Sequence, residues 1–322
     1  MTPRVVYLHA GHGKTGSSFL QSCLAMSSDV LAAQKIHYPD LTNSFANARA
    51  GRITAGNIHT GKMALLEAVE ETCRHLSEDQ AVLFSHEELF AYLNGGNAKA
   101  FLEKVRDGEF DLRVLCFIRD PLEHAVSLYQ QTVKRSGNTD RFSQFLGNYK
   151  VPREVKNFVT TLNEAGAKVS IRNYSRHSKR LAGVTEDWLG LQQDSLNQPE
   201  RLVVNRSVTN GELALQIEFS KFLGRRASVL ISDPLCNNLP DVRSEYPAIS
   251  REELEPFLAR MRSSISKVNP VIPADEVYSV PSTDDAIKRF PDPDDSMLYS
   301  FSREQLEVIA RKLSRELTKL NW

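Results

Sequence analysis

Lys14 stands in the run Leu8-His9-Ala10-Gly11-His12-Gly13-Lys14-Thr15-Gly16-Ser17-Ser18, an ammonium set among glycines and hydroxyls. With a helix starting at its end, the unpaired N–H groups of the first turn and the positive pole of the helix dipole favour a phosphate or a sulfate. Gly13 and Gly16 let the backbone come close, Thr15, Ser17 and Ser18 carry hydroxyls, and Lys14 adds a mobile point charge. A second pair is Arg119 and Ser127, in Ile118-Arg119-Asp120-Pro121-Leu122-Glu123-His124-Ala125-Val126-Ser127-Leu128-Tyr129. Arginine offers a planar fork to a phosphate, and a serine hydroxyl can donate one more bond to the same group. Each set also has an ordinary reading: a solvated lysine in a glycine turn, an arginine paired with Asp120 or Glu123, a serine on a wet helix face.

Short apolar runs say where the strands must lie. Val5-Val6-Tyr7-Leu8 and Val114 to Ile118 are continuous and apolar, as in strands buried on both faces. Phe19, Leu20, Cys23 and Leu24 recur at helical spacing, which predicts a helix over 16–26 directly after the glycine run. Asp120 is a good N-cap, Pro121 suits the first helical position and Glu123 completes a capping box. Arg119 therefore ends a strand, and Ser127 lies two turns into the next helix. Strands are expected at 4–10, 35–38, 81–85, 112–118 and 168–173. Helices are expected at 16–26, 62–76, 98–106, 121–134 and 152–164, with another from Thr209, where Thr209 and Glu212 form a capping box. This alternation predicts an α/β fold with a central parallel sheet covered on both faces. The carboxyl end of the third strand should then open on the same crevice as Lys14, and His86, Glu87 and Glu88 stand there.

Lys14-Thr15-Gly16-Ser17-Ser18 resembles the 5′-phosphosulfate loop of sulfotransferases that use 3′-phosphoadenosine 5′-phosphosulfate, whose pattern is Lys-x-Gly-[Ser/Thr]-[Ser/Thr]. Arg119, Ser127 and Tyr129 resemble the 3′-phosphate motif of the same superfamily, in the right order. A nucleoside triphosphatase loop would instead put its first glycine at Leu8. Further echoes, at Ile36 to Pro39, Ala81 to Leu89, Gly137 to Leu146, Val169 to Tyr174 and Val204 to Leu215, extend the likeness to the bacterial branch. The resemblance implies a three-layer sandwich of the P-loop nucleotide-kinase-like kind, the sulfotransferase fold. It implies an enzyme that moves a sulfonate group from that co-substrate to an acceptor hydroxyl, with a carbohydrate or glycoconjugate as the acceptor class. Gly13, Lys14, Thr15, Gly16, Ser17, Ser18, Arg119 and Ser127 would bind the co-substrate, Lys14 meeting the charge that grows on the bridging oxygen. The hydroxyl needs a general base within hydrogen-bond reach. The family keeps a histidine or a glutamate at about the end of the third strand, and Ser85-x-Glu87 resembles its glutamate branch. Glu87 is thus the expected base and His86 the second choice, while Glu88 reads as a carboxylate complementing the next helix dipole. The Arg-Lys-Gly element of the cytosolic animal enzymes has no clear counterpart, and Arg206 in Asn205-Arg206-Ser207 is carried over in its place. No metal is implied. Two other readings stay open: a P-loop kinase-like phosphotransferase, for which Asp120 is the nearby acidic candidate to hold magnesium, and a non-catalytic nucleotide-binding module of the same fold.

The 322 residues can bury a substantial core, and 41% hydrophobic with 25% charged residues is ordinary globular composition. Forty basic and forty acidic residues balance, which argues against wrapping a nucleic acid. Four scattered cysteines fit a reducing compartment, and with no apolar stretch of bilayer length and no secretory segment before the first strand, a cytoplasmic location is expected. Asn47 to Lys62 carries Arg49, Arg52, His59 and Lys62 and reads as a loop that could face a polar or anionic acceptor. The whole chain, 1–322, is expected to be a single sulfotransferase domain, with 225–322 a proline-broken C-terminal extension on the core. Its helices at 252–265 and 302–317 would pack on that core or on a second copy, leaving a homo-oligomer open.

Overall fold

The computed structural model describes residues 3–52, 54–59, 61, 64–200, 206–293 and 298–319. The chain divides into two compact units that interleave in sequence. The first comprises Met1–Asp120, Val151–Leu202 and Ser264–Ser279, the second Pro121–Lys150, Val203–Ser263 and Val280–Trp322. Residues 225–322, expected as one extension, are therefore shared: 264–279 fall in the first unit and the rest in the second.

The first unit is built on five strands: β1 (Arg4–Ala10), β2 (Ile36–His37), β3 (Ala81–His86), β4 (Phe110–Ile118) and β5 (Lys168–Asn173). They form one sheet in the order β2-β3-β1-β4-β5, and every pairing is parallel. Val6 pairs with Val82 and Leu112, and Leu8 with Phe84 and Val114, all six buried on one face, while Tyr7, Leu83 and Leu115 are buried on the other, so the middle strands β1, β3 and β4 are covered on both faces. That is why these strands read in the sequence as unbroken apolar runs rather than alternating ones. β4 begins two residues earlier than its apolar core because Phe110 and Asp111 still pair with Arg4 and Val5.

Helices flank the sheet. On the face of Tyr7 and Leu83, Ser17–Met26 contributes Leu24, Ser28–Ala33 contributes Leu31, and Leu181–Leu189 contributes Leu189. Against the other face run Leu65–Cys73 beside β3, Leu89–Asn94 beside β1, Lys99–Arg106 beside β4 and Val151–Glu164 beside β5. The two sets follow from right-handed crossovers, because the chain leaves β1 toward β2 in one direction and returns through β3 to β4 and β5 in the other. β1 lies where that direction reverses. In an open parallel sheet the crevice outside the carboxyl ends of such strands is the place for a ligand.

The second unit is helical among its described residues, with Pro121–Ser136, Phe142–Asn148, Asn210–Leu223, Ser232–Asn238 and Arg303–Lys319 as main elements. The capping box read at Thr209 is present: its hydroxyl accepts from Glu212 N–H at 3.3 Å while its own N–H donates to Glu212 Oε2 at 3.0 Å. Ile231, Leu235 and Ile309 form its apolar centre, with Leu215 and Phe219 packed against them.

Candidate functional site

The glycine run lies in the crevice of the first unit, between β1 and the helix Ser17–Met26. Its shape is enforced. Gly11 donates its N–H to His86 O at 3.0 Å and lies so close to β3 that a Cβ there would stand 2.7 Å from Glu87 Cα. Lys14 has φ of 67° and Gly16 of 84°, both left-handed. For glycine that conformation is free, whereas for a lysine it costs roughly 1–2 kcal/mol, which the surroundings must supply. The Thr15 hydroxyl, which donates to His12 O, and Arg119, which donates from Nη1 to Lys14 O at 3.3 Å, hold the turn from both sides. No side chain caps the helix at Gly16. The Ser17 hydroxyl is buried and has no hydrogen-bond partner among the described residues, and it sits 3.0 Å from where a Gly11 Cβ would be. A buried hydroxyl without a partner costs about 1–3 kcal/mol, so this donor suits a ligand oxygen in the loop.

Glu87 follows β3 on the rim of the same crevice. Its side chain is open to solvent yet ringed by protein, and this partial desolvation pushes its carboxyl above the usual glutamate range, against the opposing pull of the Ser18 hydroxyl and the Lys14 charge. Ser18 Oγ lies 3.4 Å from Glu87 Oε1. Its neighbour His86 is buried, and its Nδ1 accepts from Glu88 N–H at 3.0 Å. That bond assigns the tautomer with hydrogen on Nε2, so the neutral ring has no free lone pair left to take a proton. Burial, the largest influence, holds the imidazole below its usual value. Of the two base candidates, only Glu87 presents an exposed acceptor.

Arg119 ends β4 and is stacked on Tyr174, its guanidinium carbon 5.3 Å from the ring centroid, just past the end of β5. Asp120, read as a helix cap, has both oxygens engaged otherwise: Oδ1 accepts from Asn173 Nδ2 and Ser279 N–H, each at 3.0 Å, and Oδ2 from the Ser279 hydroxyl at 2.7 Å. Three strand ends thus bring Lys14, Glu87 and Arg119 to one crevice. Beneath the loop, His9 and His12 are buried and desolvation lowers each to about 4, so both rings are neutral. His9 Nδ1 lies 2.8 Å from Ser85 Oγ.

Two other expected residues belong to the second unit. Ser127 lies on Pro121–Ser136 in the second unit and is nearly buried there. Arg206 also belongs to the second unit, where its guanidinium is engaged by neighbouring groups. Nη1 and Nη2 donate to the two Glu212 oxygens at 2.7 Å each, and Nε donates to Leu239 O at 2.6 Å. A guanidinium engaged in this way neutralises a buried carboxylate and has no fork left for a phosphate. In the stretch from Asn47, Arg49 donates to Ala25 O and Ser28 Oγ, and Gly56 bridges His86 in antiparallel fashion; Lys62 lies outside the described residues.

Tyr174 and Leu181 join the site only through the structure. Tyr174 follows the end of β5 as Arg119 follows β4, and the sequence marks it only as the last residue of the Val169 to Tyr174 echo, with no part in the site assigned to it. Leu181 abuts Gly16, with Cδ1 at 2.5 Å from an added Cβ, and nothing in its local pattern points to the loop. Among the described residues no cluster of three metal-ligating side chains occurs, and no helix is long and apolar enough to cross a membrane.

Fold and crevice define an α/β protein with a glycine- and hydroxyl-rich loop at the point where a parallel sheet reverses its strand order. No family model matches the chain, and no curated protein matches its sequence.

Proposed function

We propose that the chain is a sulfotransferase, moving a sulfonate group from 3′-phosphoadenosine 5′-phosphosulfate to an acceptor hydroxyl. The observation that carries the reading is the hydrogen bond from Arg119 to the Lys14 carbonyl, which joins two motifs 105 positions apart in the chain. The buried Ser17 hydroxyl and the uncapped helix start suit the 5′-phosphate, Lys14 the oxygen that leaves with it. The co-substrate supplies an activated sulfonate, and the protein supplies position and charge. Glu87 takes the acceptor's proton as the acceptor oxygen bonds to sulfur and the bond from sulfur to the phosphate oxygen breaks. Adenosine 3′,5′-bisphosphate leaves, with Lys14 beside the new negative charge. A carbohydrate hydroxyl is the acceptor class carried by the sequence resemblance alone.

A phosphotransferase would call on Asp120 to hold magnesium, and the bonds to Asn173 and Ser279 already engage both of its oxygens. Calorimetry separates the readings: adenosine 3′,5′-bisphosphate binds with a chelator present and ATP with magnesium does not. Lys14→Ala, with its fold intact by circular dichroism, loses about two to three orders of magnitude in sulfonate transfer from labelled donor to glycan acceptors. Near-normal transfer in that variant removes the assignment, and binding without any transfer by the wild type favours a non-catalytic module.

A further inference from the structure

The helix Asn210–Leu223 carries an apolar stripe that outruns the core it serves. Leu215 and Phe219 pack against the cluster of Ile231, Leu235 and Ile309, but Phe222, next on the same line, is 87% exposed. Leu223 and Val229 beside it are 40% and 55% exposed. Single exposed apolar residues need no account, whereas three within eight positions do. Every residue from Lys221 to Arg226 is exposed. Lys221 pairs with Glu218 at 2.6 Å, while the side chains of Arg225 and Arg226 have no ion-pair partner among the described residues. The turn is firmly backed. Gly224 takes φ of 55°, and Gly137 lies so close that a Cβ there would stand 2.7 Å from Gly224 carbonyl carbon, while Ala227 and Ile231 anchor the next turns of chain in the core.

An outward turn with an aromatic and two aliphatic side chains among arginines that have no ion-pair partner among the described residues is matched to a surface that is anionic outside and apolar a few ångströms in. A nucleic acid would use the arginines and leave Phe222 and Leu223 in water. We propose that this turn, Lys221 to Val229, docks the protein reversibly on anionic lipid bilayers, Phe222 and Leu223 entering the interface and Arg225 and Arg226 pairing with the headgroups. The proposal is independent of the sulfotransferase reading.

Sedimentation of the full chain with phosphatidylcholine vesicles, with and without phosphatidylserine, tests it. Binding is expected only with phosphatidylserine and is expected to weaken as salt rises. Phe222→Ser should weaken it about tenfold or more, and Arg225→Gln with Arg226→Gln roughly twenty-five-fold together, near fivefold per charge. Both changes are on exposed side chains, and unchanged circular dichroism and thermal midpoints show that the fold persists. Equal binding to neutral vesicles, no binding to either, or binding indifferent to Phe222→Ser overturns the proposal. So does a concentration-dependent dimer in ultracentrifugation that Phe222→Ser abolishes without any vesicle binding, which would give the turn to a second copy. Retention on heparin that Phe222→Ser leaves unchanged, with no vesicle binding, would give it to a polyanion instead.

Discussion

Glu87 and His86 are neighbours in the chain with opposite surroundings, and the difference decides which can act on a proton. His86 is buried with Nδ1 already accepting from Glu88 N–H, whereas Glu87 reaches the crevice beside Ser18 and feels the Lys14 charge. Partial desolvation lifts the Glu87 carboxyl above its usual value of 4.5, so as a base it becomes protonated, and inactive, at a pH higher than an ordinary glutamate would. The acid limb of the transfer rate should therefore lie above that value. Glu87→Gln is expected to lower the rate about 10²–10⁴-fold and to abolish the limb, while His86→Asn keeps it; a limb that follows His86 instead would move the role. Ser17 gives a sharper test, because its buried hydroxyl has no partner to lose among the described residues. Ser17→Ala should leave the urea midpoint unchanged or slightly raised, yet weaken adenosine 3′,5′-bisphosphate about tenfold or more in calorimetry, as for a hydrogen bond to a charged group. Equal affinity would mean that the hydroxyl does not face the ligand.

The end of β3 is held by a segment that the sequence marks only as a loop. Asn57 N–H donates to Ser85 O at 3.0 Å, Ser85 N–H to Asn57 Oδ1 at 2.8 Å, and Glu87 N–H to Ala55 O at 3.0 Å. Gly56, between them, has φ of 132° and lies so near that a Cβ would fall 2.0 Å from Ser85 O. Gly56→Ala must push this pairing apart, at a cost of roughly 1–3 kcal/mol. Amide exchange at Asn57 and Glu87 should accelerate more than at Val6 in mid-sheet, and uniform protection would show the segment to be independent of β3. β1, β3 and β4 are legible in the sequence because burial on both faces leaves little polar alternation to blur them, and the Thr209 helix because its cap is local. Leu181–Leu189 is not: Gly183 and the β-branched Val184 and Thr185 weaken its intrinsic signal, and it forms by packing Leu181 and Val184 on Leu20 and Phe117. The structural part played by Arg206 is hidden for the same kind of reason, since its partner Glu212 is six residues away and only the folded chain buries the two together. Likewise, no composition shift announces a second unit assembled from three separated stretches.

Across the molecule, the buried ionisable groups predict how stability responds to acid. His9 and His12, both in the first unit, are lowered by desolvation from 6.5 to about 4. The unfolded chain thus binds protons that the folded one refuses, so their contribution is complete above pH 6.5 and is lost as pH falls from there toward 4. Each histidine accounts for on the order of 2 kcal/mol between pH 6.5 and 4.5, since each tenfold difference in proton affinity is worth about 1.4 kcal/mol. Glu212 in the second unit behaves differently. Burial pushes its carboxyl up, but the bonds from Arg206, Thr209 N–H and Gln305 outweigh that and leave it below the usual 4.5. Its contribution is present above 4.5 and is lost only as pH falls through that lower value, after the histidine window. Trp188, edge-on to Tyr7 with ring centroids 5.2 Å apart, reports the first unit, and a Trp322→Phe background makes it the sole indole. Urea midpoints followed by its fluorescence should decline steadily from pH 6.5 to 4.5, and the slope should flatten by about one proton in His9→Asn and again in the double variant with His12→Asn. The comparison uses the slope, so a constant loss of stability from either substitution does not disturb it. A flat midpoint over this window in the parent protein would mean that the two rings are open to protons in the folded state, and the neutral floor beneath the Lys14 loop would have to be abandoned.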